Sequence, residues 1–324
     1  MSERRKLGGS GLEVSTLCLG GNVFGWTADE TASFAVLDAF VDAGLNFIDT
    51  ADIYSRWAPG HQGGESETVL GKWMKRSGTR GKVVIATKVG MDMGGDNKGL
   101  SKAYILRAVE ESLARLQIDT IDLYQSHTDD ASTPLEETLE AYSELVKSGK
   151  VRAIGASNYQ APRLREVLDM SGEKGYPSYE SLQPHYNLME RAGYEAELEP
   201  LCRERGLGVI PYFSLASGFL TGKYRSEADL GKSPRGAGVK KYLDERGFAV
   251  LRALDEIAAD HRSTPAAVAL AWLMARPGIT APIASATSVA QLEDLVAATT
   301  LKLDAGAIHA LDEASAPARS AEAR

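Results

Sequence analysis

Residues 121–157 read IDLYQSHTDDASTPLEETLEAYSELVKSGKVRAIGAS. Two short apolar runs bracket the stretch, Ile121–Gln125 and Val151–Ser157. Short runs rich in Ile, Val and Leu are how strands buried on both faces read. Between them Thr133-Pro134-Leu135-Glu136 spells a helix start: Thr133 as N-cap, Pro134 at the first helical position, Glu136 closing a capping box. Leu135, Leu139, Tyr142 and Val146 then recur on one helical face, and Gly149 supplies the stop.

The same alternation extends outward in both directions. Further runs lie at Ser15–Gly20 (STLCLG), Leu45–Asp49 (LNFID), Val83–Lys88 (VVIATK), Tyr179–Gln183 (YESLQ), Gly208–Tyr212 (GVIPY) and Thr280–Ala284 (TAPIA), which makes eight. Ser101 opens a helix with Ile105, Val109 and Leu116 on its inner stripe; Thr264-Pro265 opens another that ends near Arg276-Pro277-Gly278. Strand and helix in strict alternation predict an α/β chain folded as a (β/α)8 TIM barrel, with an open doubly wound sheet as the competing architecture. Before the first barrel strand, Arg5–Val14 turns at Gly8-Gly9-Ser10-Gly11 and predicts an N-terminal β-hairpin that plugs the barrel bottom. No linker divides the chain, so one domain over 1–324 is expected, with 316–324 as a frayed tail. Tyr224–Tyr242 is the longest irregular piece, and a loop of that length in a compact domain is usually functional or disordered.

Composition narrows the function classes. The formal net charge of -8, from 36 Lys and Arg against 44 Asp and Glu, argues against a nucleic-acid partner, which would call for a basic stripe. The longest apolar runs are too short to span a membrane, and the polar start Met1–Ser10 lacks the apolar region of a secretion signal, so the expected location is cytoplasmic. The two cysteines, Cys18 and Cys202, form neither a metal-type cluster nor a disulfide framework, and no metal site is expected.

In a barrel of this kind the active site lies at the C-terminal ends of the strands. The second run ends in Asp49 and is followed by Tyr54, the third ends in Lys88, the fourth stops just before His127, the fifth ends in Ser157-Asn158 and the sixth in Gln183. Each residue alone has an ordinary reading, as a turn cap, a snorkelling lysine, a loop aromatic or a packed histidine. Together they suit one chemistry. Reducing a carbonyl needs a hydride and a proton for the developing alkoxide. A tyrosine hydroxyl can give that proton, and a nearby ammonium lowers its pKa from about 10 toward working pH. Lys88 supplies the ammonium, Asp49 the counter-charge, and His127 a hydrogen bond to the substrate oxygen.

These residues resemble the aldo-keto reductase superfamily. Asn46–Tyr54 (NFIDTADIY) is similar to its N-F-[IF]-D-T-A-x-x-Y signature, and Gly64-Glu65-Ser66-Glu67 followed by Leu70-Gly71 to the continuation. Ile85–Lys88 (IATK), Asp122–His127 (DLYQSH), Gly149–Asn158 (GKVRAIGASN) and Gln183–Asn187 (QPHYN) resemble its later motifs in order, and Leu220–Tyr224 (LTGKY) resembles the bacterial long-loop branch related to potassium-channel β-subunit-like reductases. The resemblance implies a catalytic tetrad on Asp49, Tyr54, Lys88 and His127, with Tyr54 as general acid. It implies an extended nicotinamide cofactor across the rim, touching Gly21 and Asp49, its carboxamide held by Ser157, Asn158 and Gln183 and its ring stacked on Tyr212. Phe213, Ser214, Leu215, Ser217, Gly218 and Lys223 would reach the pyrophosphate. Phe213 and Ser214 depart from the family's usual Ser-Pro at that point.

At the adenosine end, Pro282–Leu295 (PIASATSVAQLEDL) puts Ser285 where the family has Gly and Leu295 where it has Asn. Ser285, Thr287, Ser288, Gln291 and Asp294 are the expected contacts, with no Lys or Arg among them; Lys232, Arg235, Lys240 or Lys241 in the long loop could supply the charge for a 2′-phosphate, Arg235 being the candidate clamp. NADP(H) is the favoured cofactor and NAD(H) the alternative. The expected partner is a small carbonyl or alcohol, an aldehyde, ketone or sugar-like molecule, beside Tyr54 and His127 with Trp26 and Trp57 as apolar walls. Two other functions stay open on the sequence: a cofactor-sensing binding module with slow turnover, and a Schiff-base lyase with Lys88 as nucleophile.

Overall fold

The computed structural model describes residues 3–317. Strand β1 (Arg4–Lys6) pairs antiparallel with β2 (Glu13–Ser15) as a hairpin. Eight strands follow: β3 (Cys18–Gly20), β4 (Phe47–Asp49), β5 (Val84–Val89), β6 (Ile121–Ser126), β7 (Val151–Ser157), β8 (Tyr179–Gln183), β9 (Gly208–Val209) and β10 (Ile283–Ala284). From β3 to β9 each pairs in parallel with the next, and β10 pairs in parallel with β3. The ring closes where Val209 bridges Ile279 and the Ile283 N–H donates to the Pro211 carbonyl at 2.9 Å. This is the (β/α)8 barrel.

The helices are α1 (Glu30–Asp42), α2 (Glu65–Ser77), α3 (Lys102–Leu116), α4 (Leu135–Lys147), α5 (Ala161–Lys174), the turn α6 (Ala192–Glu195), α7 (Leu198–Arg205), α8 (Glu245–Asp260), α9 (Pro265–Ala275), α10 (Val289–Ala298) and α11 (Ala305–Ala314). Local chemistry sets their starts: Asp29, Ser101, Thr264, Ser288 and Asp304 each cap a helix by accepting a backbone N–H. None of the described helices is long and apolar enough to cross a membrane.

Side-chain alternation along the strands positions the site. Ile48, Ile85, Tyr124, Ile154 and Leu182 point outward into the layer shared with the helices. Phe47, Val84, Ala86, Leu123 and Ala153 point inward, where Leu7, Leu12 and Val14 of the hairpin close the bottom of the same cluster. Two residues beyond an inward apolar side chain the next inward one is polar: Asp49 after Phe47, Lys88 after Ala86, Gln125 after Leu123. The barrel interior is therefore oily at the hairpin end and ionic at the other. Gly155 makes room for this layer, because a Cβ there would collide with Ser181 Oγ and lie 3.2 Å from Gln125 Cγ.

Several local expectations are corrected. The Ser15–Gly20 run splits, Ser15 ending the hairpin and Cys18–Gly20 entering the barrel. The last two strands are shorter than expected because Pro211 and Pro282 have no N–H to pair. Pro134, with extended backbone, is the N-cap of α4; Thr133 instead donates to Asp130 Oδ2 at 2.6 Å, and Glu136 pairs with Lys174. Val146 is half-buried rather than core. Residues 224–242 are not structureless: they wind into 3-10 turns at Glu227–Lys232 and Gly236–Tyr242, anchored by the buried side chains of Tyr224 and Val239. Of the expected tail, residues 318–324 lie outside the described residues.

Candidate active site at the barrel mouth

The ends of β4, β5, β6 and β8 converge on Asp49. Its carboxylate is 1 % exposed and accepts from four side chains. Lys88 Nζ donates to Oδ2 at 2.7 Å and Tyr54 Oη donates to the same oxygen at 3.2 Å. The amides of Gln183 and Gln125 donate to Oδ1 at 3.0 and 3.3 Å. Lys88 is fully buried and divides its three N–H groups among Asp49, the Thr50 carbonyl at 2.8 Å and Tyr54 Oη at 2.7 Å. A buried ammonium and carboxylate persist only when paired and hydrogen-bonded in this way.

Tyr54 sits with its oxygen between the two charges. Burial, and then the Asp49 carboxylate, hold its phenol well above the usual value of 10. The sequence predicts the opposite direction. Asp49 largely cancels the charge of Lys88, so the ammonium does not acidify the resting phenol. The outcome is a tyrosine that stays protonated while touching an ammonium ready for a phenolate.

His127 follows β6, its backbone N–H tied to the Val89 carbonyl at 2.8 Å. Burial, with Lys88 second, pushes its pKa well below 6.5, so the imidazole is neutral at physiological pH. Its ring lies edge-on to Tyr54, centroids 6.0 Å apart, and Nδ1 is buried without a partner.

These groups open into a cleft of about 850 Å³ that runs across the rim. Asp49, Tyr54, Trp57, His127, Ser157, Asn158, Gln183 and Tyr212 line one end. Asn158 donates to the His127 carbonyl at 2.9 Å and accepts from Tyr212 Oη at 2.8 Å, while Ser157 donates to the Gln183 carbonyl at 2.9 Å. Tyr212 stacks on His185, centroids 5.2 Å apart. In mid-cleft come Phe213, Ser214, Leu215, Ser217, Gly218 and Lys223. Phe213, Ala216 and Ser217 all have positive φ there, a cluster of strain that structures concentrate where a backbone must meet a ligand. Ser285, Thr287, Gln291 and Asp294, beyond β10, line the cleft as well.

Not every expected residue faces the cleft. Gly21 sits behind the wall, its N–H on the Asp49 carbonyl and its own carbonyl on Ser66, while Gly20 lines the cleft instead. Ser288 is spent capping α10, and the Gln291 carbonyl oxygen accepts from Thr287. Ser285 donates to Asn22 at 2.6 Å. Trp26 stands behind Trp57, edge-on at 5.5 Å, and carries the Arg235 guanidinium on its face at 5.8 Å. Arg235 thus lies on the Tyr54 side of the cleft, over an aromatic wall. The residue missed by the sequence reading is Gln125; its signal is the inward position two residues before His127.

The comparisons agree with this geometry. The family model described as "Aldo/keto reductase family" matches residues 16–316. The chain is 38% identical over 316 residues to "Uncharacterized oxidoreductase YrpG" of Bacillus subtilis (strain 168), covering 95% of this chain and 94% of that protein. It is 34% identical over 304 residues to an Arabidopsis thaliana protein named "Probable voltage-gated potassium channel subunit beta", covering 90% and 89%. It is 32% identical over 323 residues to "Protein tas" of Escherichia coli (strain K12), covering 91% and 92%. By a family match over nearly its whole length, and by a barrel that gathers the family's motif residues at one rim, the chain belongs to the aldo/keto reductase family.

Proposed function

We propose that the protein reduces aldehydes or ketones to alcohols, and reverses that reaction, with Tyr54 as general acid. The observation that carries this is the hydroxyl of Tyr54, 2.7 Å from Lys88 Nζ at the floor of the cleft. A bound nicotinamide would supply or accept the hydride. The chain's own residues handle the proton. A carbonyl oxygen placed between Tyr54 Oη and His127 takes the phenol's proton as it becomes an alkoxide, and Lys88 stabilises the phenolate left behind. The neutral His127 holds the oxygen without competing for the proton. General acid help of this kind is worth about 10²–10⁴ in rate.

The residues present fit a nicotinamide dinucleotide. Ser157, Asn158 and Gln183 set amides and a hydroxyl beside Asp49 for the carboxamide, and Tyr212 offers a ring for stacking. Lys223 lies against Gly218, its Nζ 3.4 Å from where a Cβ would stand, a cation suited to the pyrophosphate. At the adenosine end the backbone N–H groups at the start of α10 favour NADP(H), while the carboxylate of Asp294 and the absence of Lys or Arg between Ser285 and Asp294 keep NAD(H) close behind. Titrating NADPH and NADH against the protein's tryptophan fluorescence tests this: saturable quenching by both, tighter for NADPH, is expected. Absence of quenching by either contradicts the reading.

The likeness to a protein named as a channel subunit favours, as a second reading, a cofactor sensor with slow turnover. Single-turnover rates on a carbonyl panel separate the two. A Schiff-base lyase is disfavoured because Lys88 is fully buried, with all three N–H groups committed.

A further inference from the structure

Arg235 makes no ion pair among the described residues, and its guanidinium donates to no acceptor there. That is unusual for a half-buried arginine. The guanidinium lines the cleft, its Nη2 is shut off from water, and its flat face lies over the ring of Trp26 at 5.8 Å. Trp26 meets Trp57 edge-on at 5.5 Å, and Trp57 meets Tyr54 at 6.0 Å. Arg235, Trp26, Trp57 and Tyr54 are therefore linked by successive ring contacts, Trp26 standing behind the cleft wall, with a fork of unused donors at one end and the Tyr54 hydroxyl at the other. Arg235 is near enough to Tyr54 for its charge to favour a phenolate there. Of the other cations lining the cleft, Lys232 is held by Asp229 at 2.7 Å and Lys223 rests against the Gly218 turn, while Lys88 beneath it is held by Asp49.

We propose that Arg235 is the carboxylate-binding residue of the substrate site, and that the preferred substrates are oxo-acids: an aldehyde or ketone joined to a carboxylate through an apolar or aromatic segment that lies along Trp57, with Trp26 behind it holding Arg235 in place. This rests on the reductase reading above. It reassigns Arg235 from the 2′-phosphate expected on sequence to the reacting end of the cleft. A planar guanidinium matches a carboxylate with two parallel hydrogen bonds. Stacking on Trp26 pre-organises that fork and keeps it from wandering into solvent.

The test uses 4-formylbenzoate and its neutral methyl ester, each with NADPH and with NADH, on the wild type, Arg235→Met and Arg235→Lys. Methionine keeps packing on Trp26 without charge; lysine keeps charge without the fork. The wild type is expected to prefer the carboxylate in kcat/KM, chiefly through KM. Arg235→Met is expected to cut that preference about 10- to 100-fold, and Arg235→Lys to retain part of it. Three results overturn the proposal while leaving the reductase reading intact. One is equal efficiency on acid and ester in the wild type. Another is an equal loss on both in Arg235→Met, which marks a packing role. The third is a loss confined to NADPH with NADH spared, which assigns Arg235 to the 2′-phosphate. A wild type that reduces neither aldehyde with either cofactor overturns the reductase reading and this proposal together.

Discussion

Replacing Lys88 by methionine removes the central charge of the site and shows what that charge does for folding and for chemistry. In the native chain Lys88 and Asp49 are buried together, 0 % and 1 % exposed, at 2.7 Å. Methionine fills the volume but leaves the Asp49 carboxylate with only Gln183, Gln125 and Tyr54 as donors. Breaking a buried ion pair by removing one partner costs about 3–5 kcal/mol. With three donors left on Asp49 the loss belongs at the low end, about 3 kcal/mol, a large part of the roughly 5–15 kcal/mol that holds a domain together. Asp49→Asn combined with Lys88→Met removes both charges, so the double variant recovers most of that stability. Activity does not return, since the phenolate of Tyr54 still has no ammonium beside it. Urea unfolding followed by tryptophan fluorescence, with the slope checked for constancy, gives the stabilities. A Lys88→Met protein as stable as the wild type, or a double variant weaker than the single one, refutes the reasoning.

Two predictions concern pH. Burial and Glu67 push the Asp52 carboxyl from 3.8 up to about 8, against the opposing pull of Arg115 and the Ile53 backbone N–H. Between those values the folded chain binds more protons than the unfolded one, so stability falls as pH rises from about 4 to about 8 and levels off above; at about 1.4 kcal/mol per unit, Asp52→Asn gains up to about 5 kcal/mol on the wild type across that window. A stability difference that does not change with pH contradicts it. For His127 the sign is reversed: its folded pKa lies well below 6.5, so its contribution is present above pH 6.5 and lost as pH falls. Its ring nitrogen shifts in NMR should stay constant from about pH 5.5 to 8, and a titration centred near the ordinary histidine value would falsify the buried neutral state.

Much of the barrel was legible in the sequence because buried parallel strands are written as short apolar runs, and Val151–Ser157 and Tyr179–Gln183 match the observed strands residue for residue. The weak points have physical causes. Pro211 and Pro282 interrupt the ladder where hydropathy alone continues the strand, and pairing resumes past Pro211 at the His185–Tyr212 bridge. Thr133 looked like a cap but had a better acceptor in Asp130, a residue whose position depends on the fold. The 224–242 stretch carries no periodic pattern because it is held by single buried anchors such as Tyr224 and Val239. Asp49, Tyr54, Lys88 and His127 could be picked out from where runs end, and the structure brings them together. Two things were hidden. The direction of the Tyr54 shift depends on how dry the site is and on which charge prevails. The place of Arg235 depends on how the long loop folds onto Trp26.

The central claim is that Tyr54 gives the proton. The most direct measurement is single-turnover oxidation of NADPH by an aldehyde in Tyr54→Phe, with cofactor affinity read in the same samples by fluorescence. The phenyl ring keeps the packing against Trp57 and His127 and loses only the hydroxyl. The rate is predicted to fall by about 10²–10⁴ with the cofactor dissociation constant within about twofold of the wild type. An undiminished rate would show that the proton comes from elsewhere.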